Sequence, residues 1–145
     1  MAESFQNYSN HIRRHPPYHF VLVPILLIHL IWSIIRLIKE PGWFASEALL
    51  LSIGLVLMTF LVRINPLKVQ DRLIRLEEQL RFERLLPAEL AAKACGLPVR
   101  FLVALRFASD EELPRLVRQV LDGKFEKPGD VKRAITNWRG DYFRV

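Results

Sequence analysis

His29 lies near the middle of an apolar run, Phe20 to Ile38, in which fourteen of nineteen residues are Leu, Ile, Val or Phe. His29, Ser33 and Arg36 recur at spacings of four and three, so a helix would put all three on one face. An ionisable side chain inside so apolar a run is a candidate for proton relay or ligand binding. The structural alternative is a neutral imidazole bonded to Ser52 or to the backbone of a neighbouring subunit. One histidine cannot line a pathway unless copies assemble, so the structural role is the expectation. A second apolar run, Trp43 to Val62, carries Glu47 and Ser52, with Ala45, Ala48, Ser52 and Thr59 forming a stripe of small residues suited to close helix packing. Folding the runs back on a midpoint between Glu40 and Pro41 sets His29 level with Ser52. The same register brings Arg36 within about one turn of Glu47, where an ion pair is expected.

Little else has the residue types for chemistry. His11, His15 and His19 recur every four residues, but Pro16-Pro17 interrupts any helix they would share, and no carboxylate or cysteine completes a ligand set. No metal and no cofactor is expected. The single cysteine, Cys95, excludes an intrachain disulfide and reads as a small apolar core residue. No Gly-rich phosphate loop, metalloprotease helix or nucleophile elbow is present. Ser109, followed by Asp110-Glu111-Glu112, reads as a helix N-cap in a capping box rather than a nucleophile. No enzymatic activity is expected.

The elements that position these residues follow from how charge is distributed. Among 145 residues half are apolar, yet Phe20 to Val62 contains only four charged residues, Arg36, Lys39, Glu40 and Glu47. Each run spans roughly 28–30 Å as a helix, close to the thickness of a hydrocarbon core. Both are apolar all round, which separates them from the striped helices of a soluble bundle. Lys39-Glu40-Pro41-Gly42 predicts a tight turn, making residues 20–62 a transmembrane helical hairpin with spans at about 20–38 and 43–62. Arg13 and Arg14 precede it, and Arg63, Lys68, Arg72 and Arg75 follow it. The positive-inside rule then puts both termini in the cytoplasm, with the basic residues against anionic headgroups. Tyr18 and Trp43 fall at the two water interfaces.

Residues 1–19 form a basic N-terminal segment. Asn65-Pro66 predicts a fresh helix start, with Asn65 as N-cap and Pro66 in the first turn of a juxtamembrane stalk over residues 63–86. In that stalk Val69, Leu73, Leu76 and Leu80 keep the 4, 3, 4 rhythm of a helix–helix seam. Asp71–Arg75 and Glu77–Arg81 are spaced as i,i+4 ion pairs. Residues 87–145 predict a small bundle of short helices: one ending at Gly96, one over Val99–Phe107 that also alternates like a strand, one after Ser109, and one with Val131, Ile135 and Trp138 turned inward. The expected class is an all-α membrane protein.

Three strings, Lys68-Val69-Gln70-Asp71-Arg72, Ala104 to Pro114, and Asn137-Trp138-Arg139 with Asp141 to Val145, carry a resemblance. The chain resembles a bacterial family of small two-span membrane proteins known only as a domain of unknown function. That resemblance implies the two-span topology and the bacterial cytoplasmic (inner) membrane, and it implies no catalytic or binding residue. Two functions fit the residues. One is a non-enzymatic accessory or scaffold subunit that presents a basic helical domain at the cytoplasmic face, as a homo-oligomer or within a larger membrane complex. The other is a small oligomeric channel or transporter component using His29 and an Arg36–Glu47 pair. The net charge of +6 is spread among acids, so nucleic acid is not an expected partner. The topology has a direct check. Reporter fusions after Val145 are expected to be active only when the reporter functions inside the cell.

Overall fold

The computed structural model describes residues 6–10 and 15–142. His11, Arg13 and Arg14 lie outside the described residues. Among those described the chain is helical, with six α-helices and no strand beyond one isolated bridge. It divides into two compact units at Leu67–Lys68.

The first unit opens on a π-helical turn, Pro17–Leu22, that runs into α1, Val23–Lys39. The wide turn has a local cause. Pro24 has no N–H for the carbonyl four residues back and its ring would press on that carbonyl, and here Val23 N–H reaches five residues back to Tyr18 O instead. At the other end Pro41 forces Glu40 out of the helical region (φ −134°, ψ 73°), and the turn expected at residues 39–42 follows. Then comes α2, Trp43–Leu85. Pro17–Lys39, with 23 residues, and α2, with 43, are both long and apolar enough to cross a membrane.

The helix start expected at Asn65-Pro66 is absent: α2 runs through it without a break. Pro66 costs one backbone hydrogen bond, a penalty of roughly 3 kcal/mol in a helix interior. Both Pro66 and Val62, whose carbonyl loses its partner, are exposed, so that carbonyl is open to solvent.

The second unit packs α3 (Ala88–Cys95), α4 (Val99–Leu105), α5 (Leu113–Leu121) and α6 (Pro128–Ala134) with the last turns of α2. Phe82, Leu102, Leu105, Phe107, Leu113, Leu116, Val117 and Val131 are fully buried at its centre. The 99–107 segment is helical to Leu105, and its strand-like alternation finds use just beyond. Ala108 bridges antiparallel to Trp138, with Arg139 N–H on Phe107 O at 2.8 Å and Ser109 N–H on Asn137 O at 3.1 Å. Trp138 was expected on the final helix. It lies past the end of α6, its ring 5.1 Å from that of Phe107. Glu112 accounts for the difference. Its carboxylate accepts from the N–H groups of Thr136 and Asn137 and from the Thr136 hydroxyl, holding them off the helical path. The capping box is therefore half formed: Ser109 Oγ accepts from Glu112 N–H at 3.3 Å, while the Glu112 side chain turns away and α5 begins at Leu113. After α5 the chain reverses at Gly123, whose φ of 73° favours glycine.

Candidate functional site

In the first unit the small residues of α2 face α1: Ala45 and Ser52 are buried, Ala48 and Thr59 half-buried. They admit a polar cluster of His29, Ser33 and Ser52, the depth match expected from the hairpin. Ser33 Oγ donates to the His29 carbonyl at 2.8 Å and Ser52 Oγ to the Ala48 carbonyl at 2.7 Å. The two hydroxyl oxygens are 2.9 Å apart, and Ser52 Oγ is 2.7 Å from His29 Nδ1. Four contacts thus share the protons of two hydroxyls and the imidazole. With the ring proton on Nδ1 three protons serve the cluster; with it on Nε2 only two do. The count favours a proton on Nδ1; a neutral ring of that tautomer leaves Nε2 as an acceptor on its exposed side.

Arg36 and Glu47 do not pair. Both are exposed, and among the described residues no ion pair joins them. Glu47 precedes Ser52 by five residues, which is about 140° around the helix from the face that meets α1. At the other end of the hairpin Tyr18 Oη donates to Thr59 O at 3.2 Å, and the Arg63 guanidinium lies 5.8 Å over the Tyr18 ring. His19 Nδ1 is 3.0 Å from the His15 carbonyl, so its ring is held by main chain. Lys68 and Arg72 are exposed.

The second unit contains a network that spacing alone misassigns. Arg81 does not pair with Glu77, nor Asp71 with Arg75. Arg81 is buried, and its NH1 donates to Glu78 Oε2 at 3.1 Å. Its NH2 donates to Asp110 Oδ1 at 2.6 Å and to Ala108 O at 2.7 Å, and Nε to Asp110 Oδ1 at 2.8 Å. Nearby, Arg106 Nε is 3.1 Å from Asp141 Oδ2, and Arg139 NH1 is 3.8 Å from Glu78 Oε1. These groups line a cleft of about 680 Å³ with Arg84 and Tyr142. Burial pushes the Glu78 carboxyl above its usual range against the pull of Arg81. The hydrogen bonds from Arg81 hold Asp110 below its own. The cleft's guanidinium groups already face its carboxylates, so it offers little uncompensated charge. Half-buried Cys95 has its thiol pushed up by burial, which makes it a poor nucleophile.

The same burial pattern settles how α2 is turned. Ile74, Glu78, Arg81 and Phe82 face the core, and Val69, Leu73, Leu76 and Leu80 fall on nearly the opposite side, 65%, 55%, 54% and 59% exposed. The seam predicted by the 4, 3, 4 spacing is thus an uncovered apolar row on a helix whose other side is already occupied.

Neither site contains a nucleophile with its base, and the match to known families carries no chemistry either. The chain belongs to the family of unknown function DUF6526, whose model matches residues 1–145. No curated protein and no solved structure matches it.

Two outcomes follow from the two clusters. Arg81→Met strands Glu78 and Ala108 O in the core and is expected to cost about 3–5 kcal/mol in denaturant unfolding at neutral pH. Without its cation Glu78 is easier to bury protonated, so the cost should shrink as pH falls through its further raised pKa. For His29, ¹⁵N NMR of the full chain in lipid should find the neutral ring protonated at Nδ1; protonation at Nε2 would refute the proton count.

Proposed function

We propose that the chain is a non-enzymatic scaffold or accessory subunit of the bacterial cytoplasmic membrane, anchored by the α1–α2 hairpin with both termini in the cytoplasm. Pro17–Lys39 and the apolar half of α2 are the anchor. The charged half of α2 and α3–α6 form the part presented to partners. Arg63, Lys68 and Arg72 sit where anionic headgroups meet the protein, each worth about 1 kcal/mol there.

The observation that supports this most directly is the exposed row Val69, Leu73, Leu76, Leu80. Side chains this apolar at coiled-coil spacing bury themselves against another helix where one is within reach. Two to three heptads are too few for a free coiled coil in solution, but chains confined to one bilayer meet at raised effective concentration. The row therefore fits a second copy, or a partner subunit held in the same membrane. The channel alternative loses one of its two features, since Arg36 and Glu47 face apart.

The test is crosslinking between copies of the full chain in native membranes. Replacing Leu73 and Leu76 together by Asp, which leaves the core side of α2 untouched, should reduce crosslinked product several-fold and release copurifying partners. Crosslinking and copurification unchanged, with the unfolding midpoint preserved, would rule out this surface. Proton flux through liposomes that is lost in His29→Gln at equal stability would replace the scaffold with the channel.

A further inference from the structure

One flank of α1, beside its contact with α2, carries a second row, unrelated to the one outside the membrane. Leu22, Ile25, His29, Trp32 and Arg36 follow one another at 3, 4, 3 and 4 residues, and all five are exposed. Two members bear hydrogen-bonding groups that α1 and α2 leave open. His29 presents Nε2, an acceptor once Nδ1–H is committed to Ser52. Trp32 presents an indole N–H, a donor only, on a side chain 65% exposed with no partner among the described residues.

Given the bilayer placement proposed above, on which this inference rests, neither group has water to turn to. Trp32 lies only about 6 Å along the helix from the middle of Pro17–Lys39, and a helical side chain leans toward the N-terminus of its helix, here back toward the span centre. Its N–H is thus carried away from the nearer headgroup layer, where tryptophans usually anchor. Acyl chains offer it no acceptor and offer His29 no donor. A second copy offers both. In a parallel two-fold pair the same face meets itself, and the N-terminal lean of Trp32 brings its indole down to the level of the opposing imidazole.

We infer that this face of α1 is an intramembrane homodimer seam in which Trp32 Nε1–H of each copy donates to His29 Nε2 of the other. The contact is self-complementary, giving two equivalent bonds across the axis, as a two-fold interface requires. Leu22 and Ile25 pack on one side of the pair. The tautomer set by Ser33 and Ser52 is what makes it work, because an Nε2–H ring would set donor against donor.

The experiment uses the full chain with Cys95→Ser, reconstituted in liposomes, with one new cysteine at Ile25 or, as control, at Ile31, which is equally exposed on another side of α1. Oxidation should link copies through Ile25→Cys at least about tenfold more than through Ile31→Cys. Interhelical hydrogen bonds in membranes average about 0.6 kcal/mol, so losing two should weaken dimerisation about sevenfold in Trp32→Phe. In a double-mutant cycle, adding His29→Leu to Trp32→Phe should weaken it no further. Equal linking at both positions, or independent effects of the two substitutions, would overturn the seam while leaving the bilayer placement intact. Release of the chain from membranes by alkaline carbonate would overturn the placement and the seam together.

Discussion

One guanidinium decides what the second unit shows to its surroundings. Arg81 is buried between Glu78 on its own helix and Asp110 and the Ala108 carbonyl on the chain that follows α4. Three of its nitrogens are used, and their fork geometry fixes the rotation of α2 about its axis as well as its position. An apolar stripe could slide or turn by a few residues with modest loss; a charged fork buried against three acceptors cannot. Because Arg81 points inward, the row Val69–Leu80 must point outward. The exposed apolar row is in this sense a by-product of an ion network on the other side of the same helix.

The first unit meets the opposite constraint. It has few polar groups, and those between the helices are shared so sparingly that protons run short. Ser33 and Ser52 each return a bond to a carbonyl one turn back, a habit of hydroxyls in apolar helices. The imidazole makes up part of the deficit. A histidine that reads as a candidate proton relay in the sequence sits, in the structure, in a cluster with two serines whose hydroxyl oxygens are 2.9 Å apart.

What was legible in the sequence was whatever periodicity and punctuation encode. The two apolar runs, the Glu40–Gly42 turn, the depth match of His29 with Ser52 and the 4, 3, 4 row on α2 all appear where they were expected. Three readings rested on local rules that the structure overrides, two of them through distant partners. Asn65-Pro66 has the N-cap and first-turn residues of a helix start, yet α2 continues through it. Glu77–Arg81 has good i,i+4 spacing, but a buried Arg81 finds Glu78 and an aspartate twenty-nine residues away. Trp138 fits the inward face of α6 until Glu112 claims the amides of Thr136 and Asn137. The Arg36–Glu47 pair failed differently, since depth was counted and rotation about the helix was not. The family match over residues 1–145 agrees with the sequence resemblance in being to a family of unknown function, and adds no chemistry.

The long reach of Arg81 also imposes an order on synthesis. Its helix is complete before Ala108, Asp110 and Trp138 have been translated, and at about 5–20 residues per second the wait is several seconds. During that interval both sides of α2 beyond Pro66 are open, the leucine row and the future core side alike, and nothing yet distinguishes them to a chaperone or a neighbouring nascent chain. Ile74 and Phe82 are as adhesive as Leu73 and Leu80 until the loop after α4 arrives. The closing of Arg81 onto Asp110 is therefore a commitment step: it withdraws one apolar side of α2 from circulation and leaves the other exposed.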